Sequence, residues 1–137
     1  MKVENQVHPT PENVRAFLAS EGPVCMVNLL KFKEKAEYPD GRDADLPGRD
    51  AYYRYAMEMK KLVEGSGGRF IFGGIVLNAL LGEIEEPWDE VGIVEYPSAR
   101  ALVEIASTPA FREIDVHRTA GLAGQLNITT RETELGD

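Results

Sequence analysis

The chain has 137 residues, a mass of 15.2 kDa and a formal net charge of −8, which is the size of one folded domain. Its 23 acidic against 15 basic residues do not favour nucleic acid as a partner, because phosphate binding depends on basic surface. No apolar run reaches the ~18 residues of a membrane span, and the N-terminus has no signal-peptide core, so we expect a cytosolic protein that contacts no membrane. The single cysteine, Cys25, excludes an internal disulfide and a multi-cysteine metal site. The two histidines lie far apart in the sequence, so we expect no dedicated metal site; the alternative is a metal bound by His117 with carboxylates.

The first half of the chain predicts a helix, a strand, a long loop and a second helix. Thr10-Pro11-Glu12 is typical of a helix start. Residues 24–32 form an apolar run of strand length with one polar residue inside it, Asn28. Residues 33–49 are polar, and their two prolines and two glycines predict a loop. Apolar residues at helical spacing, Tyr55 among them, predict a helix over 50–64.

The second half predicts two strands, a broken helix and a last strand. The first strand covers 69–82, with a bulge or bend at Gly73-Gly74. Residues 88–96 form the next strand, which opens with Trp88. A helix capped by Ser98 is interrupted and restarts at Pro109, ending near residue 120. The last predicted strand covers 126–131.

The order after the leading helix, β-α-β-β-α-β, predicts an α+β fold of the ferredoxin-like type. In that fold, a four-stranded antiparallel sheet carries both helices on one face, and here it accounts for residues 1–137 as a single domain. The strands at 24–32 and 69–82 have apolar residues on both faces, so the second face also has to be covered. Packing two sheets face to face in a homodimer covers it.

Five segments together carry a resemblance to a known family. They are Asn28-Leu29-Leu30-Lys31-Phe32, Gly67-Gly68-Arg69, Trp88-Asp89-Glu90-Val91, Tyr96-Pro97-Ser98 and His117-Arg118-Thr119-Ala120-Gly121-Leu122. Over about residues 24–131 the chain resembles the uncharacterised-domain family numbered 1330, of the dimeric α+β barrel superfamily. The resemblance implies a homodimer of ferredoxin-like subunits. The family has no agreed activity, although the wider superfamily includes cofactor-independent monooxygenases and isomerases.

Arg118 is the candidate that tells most about function. At about 100° per residue it falls in the middle of the apolar arc of the last helix, where a cation needs a partner or a wet cavity. One interpretation is an anchor for an anionic or carbonyl ligand, since a guanidinium suits a carboxylate or enolate. The other is a structural role, either an internal ion pair with Asp89, Glu90 or Glu95 or a side chain whose stem is covered and whose guanidinium reaches water.

His117, at the edge of the same arc, is the candidate general acid or base, with a satisfied structural histidine as the alternative. We expect the neighbouring Arg118 cation and burial to lower its pKa. Asn28 is a candidate to bind a substrate oxygen, or it pairs with backbone at a bend. Tyr55 and Trp88 complete the predicted pocket lining between sheet and helices. The alternatives are a core position for Tyr55 and packing at the dimer interface for Trp88.

Two functions remain open at this point. The first is a small-molecule-binding protein that acts as a cofactor-independent enzyme of the isomerase, lyase or monooxygenase type, with no organic cofactor and no metal. The second is a non-catalytic ligand-binding or structural homodimer. A ligand-sized cavity with an unpaired Arg118 would favour the first, and a filled core with a paired Arg118 would favour the second.

Overall fold

The computed structural model describes residues 7–136. Its elements, in chain order, are α1 (Pro11–Leu18), β1 (Val24–Phe32), α2 (Gly48–Gly65), β2 (Arg69–Ile75), β3 (Glu90–Tyr96), α3 (Ala99–Ala106), α4 (Pro109–Gly121), β4 (Leu122–Thr130) and a short 3₁₀ helix (Glu134–Gly136). Side-chain caps define three helix starts: the hydroxyls of Thr10, Ser98 and Thr108 each accept a hydrogen bond from a backbone amide three residues later. No helix in this part of the chain is both long and apolar enough to cross a membrane.

The four strands form one antiparallel sheet in the order β2-β3-β1-β4, which confirms the predicted ferredoxin-like fold. Strand β1 lies in the centre, with β3 on one side and β4 on the other. Residues directly opposite each other in an antiparallel pair of strands lie on the same face of the sheet. The register therefore shows which side chains lie on each of the two faces. Met26 lies opposite Val94 and Thr129 on the face that packs against the helices, the inner face.

The main core lies between the inner face and the helices. Its buried members from the sheet are Val24, Met26, Val94 and Tyr96, and those from the helices are Tyr55, Met59, Val63 and Ile105. The apolar arc of α2 therefore packs against β1 and β3, as the helical spacing predicts. A smaller core under the 33–47 loop contains Ala36, Tyr38, Ala51 and Ala120.

Helices α2 and α4 meet at two glycines, one at the start of α2 and one at the end of α4. A methyl group on Gly121 would collide with the backbone oxygen of Gly48, and one on Gly48 would collide with that of Lys33. The amide of Lys33 also donates to the Gly121 oxygen at 2.8 Å. This close approach fixes Tyr52 and Tyr55 on α2 against Arg118 on α4.

The structure corrects three predicted strand boundaries and the position of the irregularity in β2. Strand β2 ends at Ile75 instead of residue 82, because beyond it only the Val76 amide reaches the opposite segment, at the Asp89 oxygen. The irregularity of β2 lies between Phe70 and Phe72 and not at Gly73-Gly74. Strand β4 begins directly after α4, at Leu122, because residues 122–125 already pair with β1. The third strand begins at Glu90 rather than at residue 88.

Candidate functional site

A cavity of about 1,300 Å³ lies between the inner face of the sheet and the helices and is open to solvent. Most of its lining is apolar and comes from the four α-helices and the four strands; examples are Phe17, Met26, Leu30, Met59, Leu102 and Phe111. The N-terminal arm, residues 7–9, also contributes to the lining. The volume exceeds the upper range of typical small-molecule sites, about 1,000 Å³, which agrees with an open mouth.

Arg118 lines this cavity and is held by three acceptors. Its Nε donates to Asp115 Oδ1 at 2.7 Å, its Nη1 to Gln125 Oε1 at 2.9 Å and its Nη2 to the Val7 carbonyl oxygen at 2.7 Å. The side chain is 11% exposed. Its charge is therefore paired within α4, and the partner is Asp115, three residues earlier, instead of the predicted Asp89, Glu90 or Glu95.

The same hydrogen-bond network continues to Asn28 in the centre of the sheet. Gln125 Nε2 donates to Asn28 Oδ1 at 2.8 Å, and Asn28 Nδ2 donates to the carbonyl oxygens of Met26 and Gly92, each at 3.3 Å. The backbone partners differ from the predicted bend at Gly73-Gly74. Because both ends of the Asn28 amide are occupied, this side chain connects the strands below the cavity and holds Gln125 in place.

A second ion pair, between Glu90 and Arg49, lies at the cavity on the opposite side of β1 from Gln125. Glu90 lines the cavity, and its Oε1 accepts from Arg49 Nη2 at 3.1 Å and from the Tyr53 hydroxyl at 2.6 Å. Glu90 lies opposite Leu30, which in turn lies opposite Gln125. With strands about 4.8 Å apart, the backbones of Glu90 and Gln125 are about 10 Å apart.

Three tyrosines with strongly perturbed hydroxyls also line the cavity: Tyr52, Tyr55 and Tyr96. The rings of Tyr52 and Tyr55 lie 5.5 Å apart between centroids. Burial raises the pKa of all three phenols, that of Tyr55 to about 12, and the pKa values of Tyr52 and Tyr96 are raised further by their proximity to Tyr55. All three are therefore protonated at neutral pH.

His117 does not line the cavity. Its Nδ1 shares a 2.7 Å hydrogen bond with the Tyr38 hydroxyl, which also accepts from Arg54 Nη1 at 3.1 Å. Desolvation lowers the pKa of His117, as predicted, and the cations that lower it further are Arg42 and Arg54 instead of the predicted Arg118. Successive helical positions point about 100° apart, so His117 turns toward the 33–47 loop while Arg118 turns toward the sheet.

Of the residues predicted from the sequence to form one pocket, the structure brings together Asn28, Tyr55 and Arg118. Trp88 is buried outside the cavity lining, in the segment before β3. Sequence reasoning missed Gln125, because it began the last strand at residue 126, four residues after the start of β4 at Leu122. Within residues 7–136, no three His, Cys, Asp or Glu side chains group closely enough to hold a metal ion.

The sequence profile of a family described as Domain of unknown function (DUF1330) matches residues 43–130, and the chain belongs to this family. The resemblance seen in the sequence is therefore confirmed. The family description assigns no activity. No curated protein matches the chain significantly.

Solved structures with a similar fold include one protein of more than 30% identity. RPA0582, a protein of unknown function from Rhodopseudomonas palustris, is 34% identical in one structure, with a TM-score of 0.83 over 93% of this chain and 97% of that chain. Its methylated form is 35% identical, with a TM-score of 0.86 over 96% and 98%. At3g17210 from Arabidopsis thaliana is 20% identical, with a TM-score of 0.57 over 81% and 96%. A dabb family protein with a ferredoxin-like fold from Mesorhizobium loti is 13% identical, with a TM-score of 0.51 over 82% and 99%. The last two share the fold alone.

Proposed function

We propose that the protein binds a small, largely apolar molecule in the cavity between the sheet and the helices. The observation that carries the proposal is the cavity itself, which joins an apolar lining to a few fixed polar groups, Arg118, Gln125 and Asn28. Ligand sites typically combine these two features. A protein whose only task is to dimerise would gain stability from filling this space, because unfilled apolar volume weakens a core.

A catalytic role is less well supported than binding. The group chosen from the sequence to move a proton, His117, is hydrogen-bonded to Tyr38 outside the cavity. Arg118 is neutralised by Asp115, so an anionic ligand would have to compete with that carboxylate for the guanidinium. Ligand binding without an assigned reaction is therefore the function that we propose, and Asn28, Tyr55 and Arg118 are its proposed site residues.

We also propose that the protein acts as a homodimer. The sheet face turned away from the helices, the open face, carries large apolar side chains from all four strands: Val27, Leu29, Phe72, Val91, Ile93, Leu126 and Ile128. Phe72 is 55% exposed and Ile128 is 42% exposed. An apolar face of this extent is typical of an interface and would be buried by the same face of a second copy.

Fluorescence of N-phenyl-1-naphthylamine, an uncharged apolar dye, tests the binding proposal. We expect the dye to bind the wild-type protein and to bind the Ala56→Phe variant at least about tenfold more weakly, because Ala56 lines the cavity and the added ring takes up part of the space that the dye would occupy. The matched control is Ala110→Phe, at an exposed position of α4 outside the lining. Thermal melts of both variants check folding, and Ala106→Phe, at another lining position, provides a second blocked cavity.

Equal dye binding by the wild type, both blocked variants and the control would place the dye elsewhere, for example on the open face, and would overturn the proposal. Absence of dye binding to the folded wild-type protein would overturn it as well.

A further inference from the structure

Within residues 7–136, three tyrosine hydroxyls of the cavity have no hydrogen-bond partner, and two of them, those of Tyr55 and Tyr96, belong to buried residues. Tyr55 is 9% exposed and Tyr96 is 5% exposed, and within residues 7–136 neither hydroxyl donates or accepts a hydrogen bond. Their oxygens are nevertheless not sealed off, since the one fully enclosed, unpartnered side-chain polar atom in that part of the chain is Nε of Arg49. Buried polar groups are normally hydrogen-bonded, so these two hydroxyls indicate a missing partner inside the cavity.

The charges of the inner cavity wall, by contrast, are already paired. Arg118 is bound to Asp115, and Glu90 is bound to Arg49. The two other ionisable lining residues besides the tyrosines, His8 and Lys60, are exposed at the rim, where water screens their charge. An ion in the cavity would thus lose its hydration without gaining a free counter-charge, and such a transfer is unfavourable.

We infer that the ligand is an uncharged molecule with an apolar body and a carbonyl oxygen, and that this oxygen accepts hydrogen bonds from the Tyr55 and Tyr96 hydroxyls. This inference rests on the proposed binding function and specifies its ligand class. It also replaces the anionic ligand that was one expectation from the sequence.

The chemistry of phenols favours a carbonyl over other uncharged groups. The raised pKa values keep the tyrosines protonated, so each has one proton to donate. A carbonyl oxygen has two lone pairs and no proton, so it can accept from both hydroxyls together. A ligand hydroxyl whose oxygen accepts from both phenols would still carry its own proton, which would need a further acceptor.

Three naphthalene derivatives of similar size test separately how charge and hydrogen bonding affect binding in the cavity. They are 2-acetylnaphthalene, an uncharged ketone; 2-isopropylnaphthalene, which has the same shape without oxygen; and 2-naphthoate, which is charged at neutral pH. Each competes with N-phenyl-1-naphthylamine for the wild-type protein. We expect the ketone to compete about tenfold more strongly than the hydrocarbon, the effect of a hydrogen bond to a buried donor, and the carboxylate to compete most weakly.

Conservative variants test whether the two tyrosines cause the preference for the ketone over the hydrocarbon. Tyr55→Phe and Tyr96→Phe remove one hydroxyl each and keep the ring, so we expect them to reduce the preference for the ketone over the hydrocarbon, while hydrocarbon binding persists. Tyr38→Phe is the matched control, because Tyr38 is buried outside the cavity lining, and its preference should equal that of the wild type.

Equal competition by ketone and hydrocarbon would overturn this inference and leave the proposed cavity binding intact. Strongest competition by 2-naphthoate, lost in Arg118→Met, would overturn it in favour of an anion site. Failure of the dye to bind the wild type would remove the proposed function itself, so the two failures are distinguishable.

Discussion

At the scale of single residues, Arg118 is the clearest case of a side chain whose surroundings decide its role. Its position on an apolar arc indicated a cation that needs compensation, and the structure provides Asp115, Gln125 and the Val7 carbonyl. Two of its five N–H donors remain unused by these three bonds. Arg118 therefore holds α4, β4 and the N-terminal arm together, in addition to lining the cavity.

We predict that Arg118→Met lowers the free energy of unfolding by about 2 kcal/mol, because Asp115 and Gln125 would lose a charged hydrogen-bond donor in a partly buried site. Denaturant unfolding of the variant and the wild type measures this loss. Arg112→Met, on the exposed side of the same helix, is the control and should change stability by less than about 0.5 kcal/mol. Equal stability of Arg118→Met and wild type would contradict the structural role.

His117 gives a second prediction at this scale, because its surroundings lower its pKa below the usual 6.5. The folded state then binds the proton less readily than the unfolded state does. The stability that this difference contributes is fully present at pH values above the pKa of His117 in the unfolded chain. It is lost as the pH falls through the lower pKa of His117 in the folded protein. We expect denaturant unfolding to show a larger loss between about pH 7 and about pH 5 in the wild type than in His117→Gln.

An NMR titration of the His117 ring, assigned by its absence in His117→Gln, measures the pKa directly. A value at or above 6.5 would mean that the hydrogen bond to Tyr38 outweighs desolvation and the cations Arg42 and Arg54.

At the scale of elements, the contact between α2 and α4 positions the helices over the cavity. Gly121 can lie against Gly48 because neither residue has a β-carbon, and this brings the two helix backbones closer than alanine would allow. The glycine in the segment His117–Leu122 was visible in the sequence, but its partner, some 70 residues earlier, was visible only in the fold.

We predict that Gly121→Ala lowers the free energy of unfolding by about 1–3 kcal/mol, because the methyl group would meet the backbone of Gly48 and Tyr52. Gly65→Ala, at the other end of α2, has open space around the added methyl and is the control. We expect it to be neutral or slightly stabilising. Thermal unfolding of both variants measures the difference, and similar losses in the two would refute the close approach.

At the scale of the whole molecule, the open face raises the question of assembly. Two copies that bury this face against each other are expected to remove more than about 2,000 Å² of surface from water, the size of an obligate interface. We predict a mass of about 30 kDa, twice the 15.2 kDa chain, in sedimentation equilibrium at micromolar concentration. A folded species of single-chain mass in the wild type would refute the dimer.

Substitution on the open face identifies the interface. Ile93→Lys places a charge in its middle, so we expect it to shift the protein toward monomer or to prevent folding. The control is Leu135→Lys, because Leu135 is 95% exposed in the last 3₁₀ helix. An unchanged dimer in a folded Ile93→Lys variant would show that another surface joins the copies.

The sequence by itself determined the order of elements, the ferredoxin-like sheet and the family. Each of these depends on local signals, such as the caps at Thr10, Ser98 and Thr108 and the apolar runs of the strands, which act over a few residues. It also singled out Asn28, Tyr55 and Arg118, because a polar group on an apolar face is conspicuous without any structure.

Only the tertiary structure decided what these residues contact. Arg118 and Gln125 meet because α4 runs directly into β4, and the Gln125 amide reaches Asn28 only once β4 pairs with β1 in one register. The hydrogen-bond partner of His117 depends on the path of the 33–47 loop, which brings Tyr38 to it from 79 residues away. Such contacts join segments distant along the chain, and no spacing within a single element encodes them.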